Sequence, residues 1–234
     1  MAKQNDGNFS YIKSFRSFVL SMTDLETGIR IKQKAHSLFW QYGLRSVSMD
    51  DIATSMGISK KTIYLYFADK DELVDAVVES EFKKNESICE HDKINSKNAI
   101  HEIFLAMDQV VEMFSTMNPS LVFDMHKYYP KAFQKFHTYK NEYLYNVIKD
   151  NIIRGINEEF YRAEIKIDII ANFRVESIMI PFNPEFFTKL KYSLAEIEEE
   201  FIIHFLFGIA SPKGYKMILK YQQDRINKSK DGKI

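Results

Sequence analysis

The chain has 234 residues, of which 45% are hydrophobic and 27% are charged, and these proportions are ordinary for a globular protein. Eight glycines and five prolines are too few for the many turns of an all-β chain. The 32 basic and 32 acidic side chains cancel, so recognition of a polyanion requires local segregation of charge. A single cysteine, Cys89, excludes an intrachain disulfide, and the sequence lacks an apolar run long enough to span a bilayer. We therefore expect a cytoplasmic protein without membrane contact.

Residues 1–22 form an amino-terminal extension ahead of the first strong helix signal. Apolar side chains recur every three or four residues between Phe9 and Met22, which allows a short amphipathic helix. We prefer the alternative of a mobile arm, or of an upstream start with Met22 as a second initiator.

Four helices are predicted after this extension, each with a polar capping residue at its start. The first two begin with capping-box pairs and end at glycines that can adopt a left-handed backbone. The third is short and extends to about residue 66. The caps are Thr23 with Glu26, Ser48 with Asp51, Ser59 and Asp69, and the stops are Gly43 and Gly57.

Apolar positions on these helices fit one small core, because they recur on a single face of each helix. The predicted core residues are Ile31, Ala35, Leu38, Phe39, Tyr42, Ile52, Ala53, Ile58 and Ile63, with Leu73, Val74, Val77 and Val78 on the buried face of the fourth helix.

The remainder of the chain is also predicted to be helical, so the fold class is all-α with about nine to ten helices in total. A β-favouring run from Ala163 to Ile170 is ambiguous in its periodicity, and we interpret it as helix. The later helices are expected near residues 96–116, 119–127, 130–154, 165–180, 193–209 and 212–228.

The most informative segment runs from Ser48 to Leu73 and reads SMDDIATSMGISKKTIYLYFADKDEL. Its two short helices flank a tight turn centred on Gly57, the arrangement of a helix-turn-helix. Residues 29–70 carry seven basic and three acidic side chains, a net charge of +4, whereas residues 71–92 carry two basic and eight acidic ones, a net charge of −6. The basic region coincides with the helix-turn-helix, which favours contact between its third helix and a DNA major groove.

The order S-x-x-D-I-A, G-I-S-K-K-T-I-Y-x-Y-F and x-x-K-x-E-L resembles the DNA-binding domain of TetR-type repressors over about residues 26–75, without gaps. The resemblance implies a bacterial regulator that binds double-stranded operator DNA as a homodimer and a small-molecule effector through its larger domain, without a cofactor. It implies three parts: the extension 1–22, a helix-turn-helix domain 23–70, and a helical ligand-binding and dimerisation domain 71–234.

The same resemblance assigns roles to individual residues of the helix-turn-helix. Ser48 and Lys70 would meet phosphates, the start of the third helix would meet bases and flanking phosphates, and the tyrosines would reach the sugar-phosphate backbone. Tyr66 stands where the family commonly has histidine. The candidate DNA-binding residues are Ser48, Ser59, Lys60, Lys61, Thr62, Tyr64, Tyr66 and Lys70.

Aromatic and methionine side chains of the middle helices suit a hydrophobic ligand, although ordinary core packing is the alternative for each of them. An apolar stripe on the penultimate helix fits either a dimer interface or an intramolecular core, and we favour the interface. The candidate ligand-binding residues are Phe104, Met107, Phe123, Tyr128, Phe136, Tyr139, Tyr143 and Phe173, and the candidate interface residues are Phe201, Phe205 and Ile209.

The predicted function is therefore transcriptional repression, relieved when a small hydrophobic effector releases the protein from a palindromic operator. The histidines lack metal-ligand spacing, and we find neither a nucleophile–base pair nor a phosphate loop, so we predict neither a metal site nor an enzyme. The alternatives are a transcriptional activator, a helical interaction protein without an effector, and an enzyme built on a helical bundle.

Overall fold

The computed structural model describes residues 25–183 and 191–230. Predictions for residues 1–22 and for the Thr23 cap lie outside these ranges. Within these ranges the secondary-structure elements are helices. Backbone pairing of the β type is limited there to an isolated bridge between Tyr161 and Ala210. The all-α prediction is confirmed. The chain divides into two compact units at the peptide bond between Val77 and Val78.

From residue 25 onward the first unit contains three helices and the start of a fourth, and the other described helices belong to the second unit. The helices are α1 (25–42), α2 (Met49–Met56), α3 (Lys60–Tyr64), α4 (Lys70–Asn95), α5 (Ala99–Thr116), α6 (Leu121–Tyr128), α7 (Pro130–Thr138), a π-helical segment (Tyr139–Leu144), α8 (Tyr145–Asn157), α9 (Ile167–Ser177), a 3-10 turn (Ile180–Phe182), α10 (Leu194–Ile209) and α11 (Pro212–Lys230).

The predicted caps at Ser48, Ser59 and Asp69 are confirmed. The Ser48 hydroxyl accepts a hydrogen bond from the backbone N–H of Asp51, and the Asp51 carboxylate accepts one from the backbone N–H of Ser48. Gly43 and Gly57 end α1 and α2 with φ angles of 85° and 65°, in the left-handed region that a Cβ disfavours. These local signals determine where α1 ends and where α2 begins and ends.

The core of the first unit consists of apolar side chains from all of its helices. Leu38 and Ile58 are only half-buried, and the expectation that Tyr42 belongs to this core is wrong, because its side chain is 51% exposed. The chain turns directly after Tyr42, and Leu44 and Val47, which follow this residue, are buried in the core instead. The buried apolar residues are Ile31, Ala35, Phe39, Leu44, Val47, Met49, Ile52, Ala53, Ile63, Phe67, Leu73, Val74 and Val77.

The second unit is a helical bundle in which α5 packs along α10 and α8 packs along α9. Its core joins side chains from the helices α5, α8, α9, α10 and α11 and from the turn after α8. The largest fully buried side chains among these are Ile100, Met107, Ile152, Tyr161, Leu206 and Ile218.

Several predicted helices of this unit differ from the structure in where they begin, end or continue. Helix α6 begins at Leu121 because the Asn118 side chain accepts the backbone N–H of Ser120 at 2.9 Å, which forms a turn before the helix. The helix predicted over 130–154 is interrupted by the π-helical segment.

The helical interpretation of Ala163–Lys166 is wrong, although α9 begins at Ile167 as part of the same run. The backbone N–H of Arg162 donates to the carbonyl of Ile209 at 3.0 Å, next to the bridge between Tyr161 and Ala210. This pairing with the distant end of α10 holds the segment in an extended turn, which local periodicity does not reveal.

Candidate DNA-binding surface

Helix α3 is held in place by its one fully buried side chain, that of Ile63. Before it, the backbone N–H of Ile58 donates to the carbonyl of Ala53 at 3.1 Å and closes the turn after α2. Because α3 has only five residues, burial of Ile63 turns the side chains of Lys60, Lys61 and Tyr64 outward.

The structure therefore presents most of the predicted DNA-binding residues to solvent. The Tyr64 side chain is 45% exposed. The exposed candidates are Ser48, Ser59, Lys60, Lys61 and Tyr64, and the half-buried candidates are Thr62, Tyr66 and Lys70.

Ser48 is already engaged within the protein. Its backbone N–H donates to the Asp51 carboxylate at 2.8 Å, and its hydroxyl lies 2.7 Å from the same oxygen. These hydrogen bonds hold the pKa of Asp51 below its usual value, so the carboxylate stays charged. A phosphate that approaches Ser48 must compete with this carboxylate or use the neighbouring N–H groups of the α2 terminus.

Lys60 has an intramolecular partner that sequence analysis missed. Its ammonium lies 2.7 Å from the carboxylate of Asp50, with side-chain exposures of 44% and 64%. The hydrogen bond to Asp50 holds the pKa of Lys60 above its usual value. The ten-residue separation between Asp50 and Lys60 gives no local signal for this pair.

Lys70 ties the start of α4 to the loop after α1. Its ammonium donates to the backbone carbonyl of Leu44 at 2.5 Å and lies 5.8 Å from the centre of the Phe39 ring. An ammonium has three donors, so this contact is compatible with a phosphate contact from the same group. Lys70 therefore has a structural role in the first unit besides the one predicted for it.

The predicted ligand-binding residues occur in separate places. Phe104 and Met107 belong to the core packed against α10 and α11. The side chains of Phe123, Tyr128 and Phe173 are 44%, 37% and 57% exposed. The second unit has an open cleft of about 440 Å³, and none of these candidates lines it. The lining residues are Lys93, Asp150, Ile153, Arg154, Asn157 and Glu158.

The other three candidates, Phe136, Tyr139 and Tyr143, form an aromatic cluster with Phe82 of α4. The ring of Phe82 stacks on that of Tyr139 at 4.5 Å between centroids, and Tyr139 stacks on Tyr143 at 5.4 Å. Phe136 lies 6.1 Å from Phe82. Sequence reasoning did not include Phe82, because it lies on the helix that follows the helix-turn-helix.

Cys89 lies beside this aromatic cluster. Burial, with the nearby carboxylate of Asp92 as the next cause, raises the pKa of its thiol to about 11. The thiol is therefore protonated at neutral pH, as expected for a packing residue rather than a reactive one.

The stripe expected at a dimer interface is mostly inside the protomer. Phe205 and Ile209 are 6% and 2% exposed and belong to the core of the second unit, whereas Phe201 is half-buried. The large exposed apolar side chains in this part of the chain lie on α11 instead. They are Tyr215, Leu219 and Ile226, at 52%, 45% and 49% exposure.

Residues 25–183 and 191–230 contain neither a membrane-spanning helix nor a cluster of metal-binding side chains. The described helices include none that is both long and apolar enough to cross a bilayer. Among the same residues, no group of three or more histidine, cysteine or acidic side chains is arranged to hold a metal ion.

Comparison with known proteins agrees with this architecture. The family model for bacterial regulatory proteins of the tetR family matches residues 31–77. The chain is 26% identical over 186 residues to the HTH-type transcriptional regulator YvaF of Bacillus subtilis, an alignment that covers 78% of this chain and 95% of that protein.

Solved structures share the fold over most of the chain. A TetR-family regulator from Agrobacterium tumefaciens superposes with a TM-score of 0.65 at 14% identity, covering 80% of this chain and 100% of the other. The regulator FadR from Bacillus subtilis, in complex with stearoyl-CoA, superposes with a TM-score of 0.56 at 16% identity, covering 77% and 98%.

A capped helix-turn-helix with an outward third helix, followed by a larger helical unit, defines a DNA-binding transcription regulator. Residues 31–77 match the DNA-binding pattern of the tetR family, and most of the chain is similar in sequence or in fold to regulators of this kind.

The Lys70 contact gives a prediction about stability. We expect Lys70→Met to lower the free energy of unfolding by about 1–2 kcal/mol, because it removes a charge-assisted hydrogen bond from a half-buried site. Urea unfolding of the full chain measures the change. Lys61→Met, the same substitution at an exposed position of α3, serves as the control. Equal midpoints for the two variants would contradict the structural role of Lys70.

Proposed function

We propose that this regulator is a repressor that binds a palindromic operator as a homodimer and leaves it when a small hydrophobic effector binds. The observation that carries the DNA-binding part is the outward face of α3, with Lys60, Lys61 and Tyr64 exposed. A helix of this kind fits a major groove, where ammonium groups contact phosphates or base edges and tyrosine hydroxyls contact the backbone. Two such heads in a dimer would read half-sites about 34–36 Å apart.

The pair of lysines on α3 provides the first test. We expect the double variant Lys60→Ala, Lys61→Ala to bind a duplex from the chain's own promoter region at least about tenfold more weakly. We also expect a shallower dependence on salt, because each lost phosphate contact removes about 0.9 from the logarithmic slope. Fluorescence anisotropy at several salt concentrations measures both quantities.

The matched control changes the same charge elsewhere. Lys97 and Lys131 are exposed residues of the second unit, and replacing both with alanine should leave affinity and slope unchanged. If the α3 variant also keeps its affinity and slope, then α3 is not the recognition helix.

The homodimer is supported by the exposed apolar face of α11. Tyr215, Leu219 and Ile226 are spaced by four and seven residues, so they lie on one side of the helix. The ring of Tyr215 lies 5.2 Å from that of Phe207, which extends the apolar surface onto α10. A two-fold axis beside these helices would bury the face against its copy.

This interface gives a prediction about oligomeric state. We expect Leu219→Glu to shift the protein from dimer to monomer at micromolar concentration, because it places a carboxylate opposite its own copy. Sedimentation velocity measures the change. Lys220→Ala alters the net charge by the same amount at an exposed neighbouring position and should remain dimeric. A dimeric Leu219→Glu variant would place the interface elsewhere.

The effector part of the proposal rests on the aromatic cluster of Phe82, Phe136, Tyr139 and Tyr143. Phe82 belongs to α4, which begins at Lys70 in the helix-turn-helix unit. An apolar ligand that separates these rings would displace α4 and alter the DNA-binding heads. Such a ligand must favour the non-binding conformer by about 1.4 kcal/mol for each tenfold loss of operator affinity.

Stearoyl-CoA, the ligand in the FadR structure, is a suitable first probe. We expect it to weaken operator binding by the wild type and to have a smaller effect on Tyr139→Ala, measured by anisotropy competition. Phe173→Ala changes an exposed aromatic residue outside the cluster and should respond as the wild type does. An equal response from both variants would exclude the cluster as the effector site.

A further inference from the structure

The ion pair between Asp50 and Lys60 connects the two helices of the helix-turn-helix. Asp50 lies in the first turn of α2, and Lys60 is the first residue of α3. The ammonium and the carboxylate are 2.7 Å apart, and both side chains remain largely exposed. A duplex against α3 would therefore meet a lysine that already has an anionic partner.

Asp50 differs from three other carboxylates near the helix starts of the first unit. Asp51 closes the capping box with Ser48. Asp69 accepts the backbone N–H of Glu72 at 2.8 Å, and Glu72 accepts that of Ala68 at 2.6 Å. Those three carboxylates stabilise helix ends, whereas Asp50 makes its side-chain contact to a predicted DNA-binding lysine.

We propose that Asp50 is a specificity-determining residue, whose carboxylate occupies on Lys60 the position of a DNA phosphate and so restrains binding to non-operator DNA. The proposal rests on the proposed function. Carboxylate and phosphate oxygens both accept charge-assisted hydrogen bonds from an ammonium at about 2.7–2.9 Å, so the observed distance is the one a phosphate contact would have. A phosphate that contacts Lys60 must either displace Asp50, which leaves an unpaired negative charge beside the duplex, or share the ammonium with Asp50 and lie close to a like charge.

The two kinds of DNA complex are affected unequally. Non-specific binding depends almost entirely on phosphate contacts, so the neutralisation of one lysine removes a substantial share of it. A specific complex adds base contacts and fixed register, which offset the exchange of partners on Lys60. Asp50 thus lowers affinity for random sequence more than affinity for the operator.

A double-mutant cycle tests this mechanism. Asp50→Asn, Lys60→Ala and the double variant are compared with the wild type on a promoter duplex and on a random duplex of the same length. We expect Asp50→Asn to bind the random duplex about twofold to fivefold more tightly, the range that exposed ion pairs support. Its salt dependence should steepen by about 0.9, one phosphate contact. The gain on the promoter duplex should be smaller, and in the Lys60→Ala background Asp50→Asn should have no effect.

Several outcomes would overturn the inference. An equal gain in the Lys60→Ala background means that Asp50 acts as a general negative charge. A gain from Glu142→Gln, which removes one exposed carboxylate in the second unit, means that net charge alone is responsible. If Asp50→Asn binds the random duplex with the affinity of the wild type, then Asp50 does not restrain non-specific binding. Tighter binding by the variant cannot be explained by misfolding, because a misfolded protein would bind more weakly.

The same measurements separate this inference from the proposed function. A wild-type protein that binds both duplexes with equal affinity, or neither of them, would refute operator recognition and the inference with it. If the wild type prefers the promoter duplex and Asp50→Asn binds both duplexes with wild-type affinity, then only the role of Asp50 is refuted.

Discussion

Burial of Ile63 is the constraint on which the DNA-binding surface depends. Helix α3 has five residues, and one fully buried side chain is enough to determine which way the others point. An isolated helix of that length is unstable in water, so its conformation comes from packing and from the Ser59 cap. Lys60, Lys61 and Tyr64 face outward as a consequence.

Three of the residues predicted to meet DNA already have partners within the protein. Asp51 holds the N–H and hydroxyl of Ser48, Asp50 holds Lys60, and the Leu44 carbonyl holds Lys70. These contacts pre-position the donors, and at Ser48 and Lys60 a phosphate must compete with a carboxylate that is already bound. Discrimination between sequences can then arise from which duplexes offer enough base contacts to offset the exchange.

The second unit shows how far residue type and spacing predict a site. The spacing of Phe201, Phe205 and Ile209 identifies an apolar helix face, but it does not say whether that face meets its own protomer or a second copy. In the structure Phe205 and Ile209 pack inside, and the exposed apolar face belongs to α11. The aromatic candidates likewise lie in different places, some in the core, some exposed and some in the cluster with Phe82. Composition does not specify which helices pack together, so it could not separate these groups.

The sequence by itself determined the features that depend on neighbouring residues. The capping box at Ser48, the left-handed Gly57 and the buried position of Ile63 all follow from side chains within a few residues, and the family pattern covers the same segment. Tertiary structure alone decided the pairing of Asp50 with Lys60, the π-helical break after Thr138 and the aromatic partners of Phe82. Each of these depends on contacts between separate helices, and the packing that brings such helices together has no signature in local periodicity.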